Sequence, residues 1–348
     1  RRSGRHRSMV SSTRRERRPA GRAVPIIERM RLAHRAIDLA ATWVEDRRAS
    51  RPVPFRPAPA APLDCFGPLP ACPVPPERSG AWRLESPRAA GFPAGDRMTV
   101  HLWRPARPAR GVAILVPPWQ IDRVSLVAGF RGLLARAGYE VWLAVPPHHL
   151  DRARDGARSG EGFVSPDLAA FRASVEQLVL ELRLLAAAAR GRGGDVVMVG
   201  LSLGALATGL AATAPERLDA AALVGPPDLE AVFHGTPIGR RFRRLAARAG
   251  APAPAAELVR PMLEPFRPGA RPPTARRLFV AGGRADAIAT TVGALALARA
   301  WGVTPRLYPR GHLTLLFACG ALRRDLSAFL GGRYLPATQA SRALTTSS

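Results

Sequence analysis

Gly200-Leu201-Ser202-Leu203-Gly204 spells G-x-S-x-G, and its surroundings say more than the letters do. The β-branched run Val196–Val199 leads into it and the Ala/Leu-rich stretch 205–212 leads out, the pattern of a strand that turns abruptly into a helix. A serine held on such a turn projects its hydroxyl clear of the backbone. Glycine two residues to either side keeps side chains out of the adjoining strand and helix. The helix N-terminus aims backbone N–H groups at any negative charge that develops there. A serine hydroxyl is a poor nucleophile until a base takes its proton. On a sheet that carries this motif the order along the chain is serine, acid, histidine. Two histidines follow Ser202. His312 lies in Pro309-Arg310-Gly311-His312, just past the last expected strand, where a loop can swing it over the serine. His234 lies in an irregular insertion and is the alternative. Asp286 ends Gly282-Gly283-Arg284-Ala285-Asp286, after the apolar run 277–281, and would orient the imidazole and stabilise its protonated form. Asp228, after the preceding strand, is the alternative acid, and Asp286 could also simply cap the following helix.

Acyl chemistry also needs oxyanion donors. The backbone N–H of Leu203, directly after the nucleophile, is one candidate. A second should come from the loop after the run 111–116. Pro117 and Pro118 have no N–H to give, so Trp119 is the first available donor and Gln120 the next. His148 and His149 follow the strand at 140–145, at the strand ends where ligands of such sheets bind. They are candidate substrate-binding residues, or else loop histidines packed on the domain. No third ligand stands at a metal-site spacing. With three cysteines and no CxxC, neither a Cys-based zinc site nor a disulfide scaffold is indicated; Cys65 and Cys72 could pair in an oxidising compartment or equally stand as free thiols.

The elements that must position these residues follow from periodicity. Strands are expected near 98–103, 111–116, 140–145, 196–199, 220–224, 277–281 and 304–308, and helices over 123–137, 167–190, 203–214, 287–301 and 314–330. Apolar strands alternating with helices predict an α/β fold, a mostly parallel sheet with helices on both faces. Residues 82–331 form this domain, and the irregular, Pro-rich stretch 226–276 reads as a cap over it. Within that stretch the basic segment 239–248 reads as a solvated lid helix or a surface for anionic lipid. Gly156–Gly162 reads as a mobile loop near the mouth. The charge-free stretch Val196–Ala214 imitates a membrane span, but its change of character midway fits a buried strand followed by a buried helix.

Before the domain come three blocks: a disordered basic arm (1–23), an amphipathic helix (24–51) and a Pro-rich extended strap (52–81). A flexible tail (332–348) follows it. Ile26, Met30, Ala33, Ile37, Ala40 and Val44 share one helical face in the second block, suited to docking on the domain, to a membrane surface or to a partner. The strap holds ten prolines between 52 and 76. The 348 residues carry 52 basic against 26 acidic side chains, a net charge of +26. All 52 are arginine, and the chain has no lysine and no asparagine. A GC-rich coding bias produces that signature, so the charge is weak grounds for a nucleic-acid partner. No apolar run of signal-peptide type follows the basic arm, which points to the cytoplasm; membrane-surface contact stays open, and oligomeric state cannot be read.

With the Ser202, Asp286 and His312 order in place, the stretch from about 82 to 330 resembles the α/β-hydrolase superfamily. Pro147-His148-His149-Leu150-Asp151-Arg152 and Gly311-His312-Leu313-Thr314-Leu315-Leu316-Phe317 resemble its hydrolase-domain-18-type branch and bacterial relatives. Pro117-Pro118 departs from the His-Gly usual after the third strand of that superfamily. The resemblance implies a serine hydrolase acting on a small-molecule or lipid carboxylic ester or thioester without a cofactor. The competing expectation is an inert hydrolase-like domain whose basic arm binds nucleic acid or anionic membrane.

Overall fold

The computed structural model describes residues 26–47, 53–71, 74–252 and 255–332; the basic arm 1–23, the tail beyond residue 332 and Cys72 lie outside them. In chain order the helices are α1 (Ile26–Arg47), α2 (Ala128–Arg136), α3 (Leu168–Gly191), α4 (Leu203–Ala211), α5 (Leu229–Gly235), α6 (Pro237–Arg248), α7 (Ala255–Leu263), α8 (Thr290–Ala300), α9 (His312–Ala318) and α10 (Gly320–Leu330). The strands are β1 (Gly80–Glu85), β2 (Arg97–Trp103), β3 (Gly111–Val116), β4 (Tyr139–Val145), β5 (Asp195–Leu201), β6 (Ala220–Val224), β7 (Leu278–Gly283) and β8 (Arg306–Tyr308). They form one sheet in the order β1-β2-β4-β3-β5-β6-β7-β8. β2 is antiparallel to both neighbours, and β4 through β8 run parallel.

Every residue of β3, β4 and β6 is buried, which requires helices on both faces. One apolar layer joins Ile114, Trp142, Met198 and Val280 to α3, α4 and α8. The other joins Leu115, Leu143, Val199 and Phe279 to α2, α9 and α10. The parallel strands were legible because both of their faces are apolar. The edge strand β1 was not: only Trp82 of its six residues is buried, so the pattern GAWRLE carries little periodicity. The stretch 226–276 is largely helical rather than irregular, and α5, α6 and α7 cross there. Asp228 caps α5 and Thr236 caps α6 through Gly239 N–H (3.1 Å), with Pro237 at its first turn. The single helix expected over 314–330 breaks at Cys319, whose backbone is extended and whose Sγ accepts from Leu322 N–H at 3.4 Å.

The Pro-rich strap explains some of the buried arginines. Prolines supply carbonyls without N–H groups, so a buried strap needs outside donors. Arg172 of α3 donates to the carbonyls of Pro59 (3.0 Å), Ala61 (2.7 Å) and Pro62. Arg183, about three turns further along the same face of α3, donates to Cys65 (2.5 Å) and Gly67 (3.0 Å) while paired with Glu216. Cys65 is a buried free thiol, and burial pushes its pKa up to about 12.

α1 docks the opposite way round from the amphipathic expectation. Its polar residues Asp38, Thr42 and Glu45 are buried against the domain, while Met30, Ile37 and Val44 face outward. The reason lies in what α1 packs on: not an apolar groove but the unpaired backbone N–H groups around His312.

Candidate active site

Ser202 sits between β5 and α4 at φ 54°, ψ −115°, a backbone shape that non-glycine residues rarely adopt. Its N–H is tied to the carbonyl of Val224 on β6 (2.8 Å). The flanking glycines are required by close approach. A Cβ at Gly200 would meet the carbonyl oxygen of Gly204 at 2.2 Å, and one at Gly204 would meet the Val116 carbonyl at 2.3 Å and that of Pro117 at 2.6 Å. Gly204 therefore lets the loop after β3 lie directly against the N-terminus of α4.

The structure brings the three side chains together. His312 Nε2 is 2.8 Å from Ser202 Oγ, and its Nδ1 is 2.7 Å from Asp286 Oδ2. With Nδ1–H donating to the carboxylate, Nε2 carries the lone pair that accepts from the serine hydroxyl. Asp286 divides its carboxylate. Oδ1 accepts from the N–H groups of Ile288 (2.8 Å), Ala289 (2.8 Å) and Thr290 (3.3 Å), leaving Oδ2 for the imidazole. Burial pushes the Asp286 carboxyl up, but the charge and hydrogen bond of His312 and the N–H groups of Ile288 and Ala289 outweigh it, so it lies below the usual carboxylate range. For His312 burial acts downward, and the Asp286 charge and hydrogen bond together with the charge of Asp38 outweigh it, so its pKa is raised. The two alternatives do not join them: Asp228 spends its carboxylate on the N-terminus of α5, and His234 is exposed on that helix.

Sequence reasoning missed Asp38. Its carboxylate is fully buried and belongs to α1, well before the first strand, yet Oδ2 accepts from His312 N–H (2.6 Å) and Ala287 N–H (3.1 Å) and Oδ1 from Leu313 N–H (3.0 Å). One carboxylate thus joins the loop bearing Asp286 to the loop bearing His312. Glu45, two turns further along α1, accepts from Gln120 Nε2 (2.8 Å) and pairs with Arg241 of α6 (3.1 Å). Arg241 is therefore no solvated lid charge. No motif could have marked Asp38, because its role exists only where a separate helix meets the two loops.

Among the described residues, the N–H groups of Leu203 and Trp119 have no hydrogen-bond partner and flank Ser202 on α4 and on the loop after β3. Gln120 N–H is already used: it donates to His149 Nε2 (3.0 Å), with Gln120 held at φ 60°. His149 and His148 do not line the cavity at Ser202, contrary to the expectation that they bind substrate. His149 is fully buried, its Nδ1–H donates to the Pro147 carbonyl (2.8 Å), and burial lowers its pKa to about 4 despite that bond. It is a fixed acceptor behind the Trp119–Gln120 turn. His148 packs between Phe92 and Phe163, and its pKa is likewise lowered to about 4, first by burial and then by Arg154 and Arg152. The Gly156–Gly162 segment packs over the same turn, where the Gly160 carbonyl accepts from Trp119 Nε1 (2.9 Å).

The cavity that opens on Ser202 measures about 120 Å³, and apart from the serine it is bounded by Trp119, Phe171, Leu203, Phe233, Phe242, Val259, Leu263 and other apolar groups. α5, α6 and α7 supply much of its outer wall. Among the described residues no three of His, Cys, Asp or Glu cluster to hold a metal ion, and no helix is long and apolar enough to cross a membrane.

No protein-family model matches the chain, and no curated protein matches its sequence. Its fold has many solved counterparts. The acylaminoacyl peptidase of Pyrococcus horikoshii superposes with a TM-score of 0.50 at 13% identity, over 72% of this chain and 40% of that one. A lipase solved in an open form gives 0.49 at 15% identity (72% and 98% covered), and the Pyrococcus furiosus esterase Pf2001 gives 0.48 at 14% identity (73% and 89% covered). The likeness to the peptidase, with the sheet order above, is one of fold. The chain has the α/β-hydrolase fold.

Proposed function

We propose that the protein is a serine hydrolase that cleaves carboxylic esters or thioesters through an acyl-enzyme, using Ser202, His312 and Asp286. The observation that carries the reading is the continuous hydrogen-bond chain from Ser202 Oγ through His312 to Asp286 Oδ2, 2.8 and 2.7 Å long, at the floor of an apolar cavity. His312 Nε2 takes the hydroxyl proton as Oγ bonds to the acyl carbon. The oxyanion so formed is held by Leu203 and Trp119 N–H, and Asp286 stabilises the imidazolium. His312 then gives the proton to the departing alcohol or thiol. Water, activated by the same nitrogen, attacks the acyl-enzyme and releases the acid. The reaction draws on no cofactor. The helices of 226–276 act as a cap whose apolar walls favour an aliphatic or aromatic acyl group, and among the described residues no cationic group lines the cavity, which argues for a neutral one.

The competing reading, an inert domain, gains nothing from this geometry: an inert site has no need for a strained serine within hydrogen-bond reach of a carboxylate-held imidazole. The test is Ser202→Ala assayed on p-nitrophenyl butyrate, together with fluorophosphonate labelling and mapping of the modified peptide. The expected result is loss of turnover by up to ~10⁶-fold and labelling at Ser202 alone. Undiminished turnover in the variant would end the proposal.

A further inference from the structure

Ten large apolar side chains are exposed among the described residues, and six of them lie on α1: Met30, Leu32, Ile37, Leu39, Trp43 and Val44, each between 40% and 58% exposed. At 100° per residue they form two ridges. Met30, Ile37 and Val44 recur every seven residues, and Leu32 and Leu39 do the same with Trp43 beside them; exposed Ala33, Ala36 and Ala40 fill the space between. The result is a convex apolar surface along a helix of roughly 33 Å, where a soluble surface helix would show charge.

We infer that this outer face of α1 docks on an anionic lipid bilayer. Charge selects the occupant. The acidic residues of α1 with inward-facing carboxylates, Asp38 and Glu45, are consumed at the active-site loops and at Arg241. Among the described side chains of α1, Arg29, Arg31, Arg35 and Arg47 are exposed against Glu28. Arg47 lies over the Trp43 ring at 3.9 Å, an aromatic ring and a cation set side by side as at a headgroup boundary. A second copy of the chain fits poorly, since pairing two α1 helices would bring the Arg29, Arg35 and Arg47 sets together on molecules that each carry +26. A bilayer takes a convex ridge into its acyl boundary and answers the arginines with phosphate. This inference is independent of the hydrolase reading, because binding is measured without turnover.

The test is co-sedimentation of the full chain with sucrose-loaded vesicles of phosphatidylcholine containing about one-third phosphatidylglycerol, against phosphatidylcholine alone. The wild-type chain binds the anionic vesicles and is released by salt. The triple variant Leu32→Asp/Ile37→Asp/Trp43→Asp loses at least ~100-fold in partition coefficient, with an unchanged unfolding temperature because all three side chains are exposed. A second variant, Arg29→Gln/Arg35→Gln, leaves the apolar ridge intact and loses ~10-fold or more on anionic vesicles alone. Wild-type failure to bind, equal binding to both vesicles, or full binding by the triple variant overturns the inference. So does a wild-type dimer in light scattering that the triple variant abolishes.

Discussion

Asp38 lies on α1, ahead of every strand of the sheet, yet it offers the sharpest test of how the site is held. Asp38→Asn keeps the shape and removes the charge. Three backbone N–H groups, from Ala287, His312 and Leu313, converge on the two carboxylate oxygens. An amide offers an oxygen at one end only, so at least one buried N–H faces an NH₂ group, at a cost of about 1–3 kcal/mol. Charge-assisted bonds become neutral ones, for about 1 kcal/mol more. The expected loss is therefore roughly 2–4 kcal/mol in stability, or on the order of 5–15 °C in Tm for a domain of this size. The electrostatic effect on catalysis is separate. The lost charge sits one hydrogen bond beyond the His312 amide and acts on the ring through space. At an effective dielectric constant near 20, a charge beyond contact distance stabilises the imidazolium by on the order of 1–3 kcal/mol. kcat/KM on p-nitrophenyl butyrate should fall by roughly 10- to 100-fold, well short of the ~10⁴-fold expected for Asp286→Asn, which also frees the imidazole to take the wrong tautomer. The acidic limb of the pH profile must move to lower pH, because Asp38 helps to raise the pKa of His312 and only the neutral ring accepts the serine proton. A purely structural role would lower Tm without moving that limb. An unmoved limb, or full activity at every pH, refutes the argument.

Other outcomes follow from the same geometry. In the wild type the acidic limb should lie above the ordinary histidine value, since His312 is raised. His149→Phe removes the acceptor of Gln120 N–H, so the Trp119 turn relaxes and kcat should drop ~10- to 100-fold with KM little changed; steady-state kinetics on two ester chain lengths checks it. Gly204→Ala forces a Cβ to 2.3 Å from the Val116 carbonyl and should cost several kcal/mol or prevent folding, roughly 3 or more by denaturant titration. Phe242→Ala enlarges the cavity wall and should raise the octanoate-to-butyrate ratio of kcat/KM by ~10-fold or more. Stability should fall as pH drops from about 6.5 toward 4. His148 and His149 stay neutral when folded, with pKa values lowered to about 4, while the unfolded chain takes up their protons. The contribution is present above the unfolded value and is lost on acidification, roughly 3 kcal/mol per histidine. His148→Phe should flatten that slope in urea titrations.

Much of this molecule was legible in the residues. Strands β3 to β7 announce themselves because a sheet covered on both faces must be apolar on both. Ser202 announces itself because a strained turn between strand and helix demands glycine at 200 and 204. Serine, aspartate and histidine could then be chosen by order along the chain, since each had to follow a different strand. In the loop after β3 the candidate N–H donors were narrowed by what proline lacks. His148 and His149 were misjudged as pocket groups, because a strand-end position fixes the neighbourhood of a side chain and not its direction; the His148 backbone, at φ 65°, turns it inward.

Tertiary structure alone decided how α1 lies. Periodicity found its apolar stripe and left open whether the domain, a membrane surface or a partner would meet it. The domain, however, offers that helix a set of orphaned N–H groups and an arginine, so the carboxylates of Asp38 and Glu45 go inward and the apolar ridge is left outside. Burying a hydrocarbon side chain is worth about 1.5–3 kcal/mol, while a charged acceptor that satisfies three buried donors is worth at least as much at one point. Which of the two wins depends on what the facing surface lacks, and a sequence read along one helix does not contain that surface.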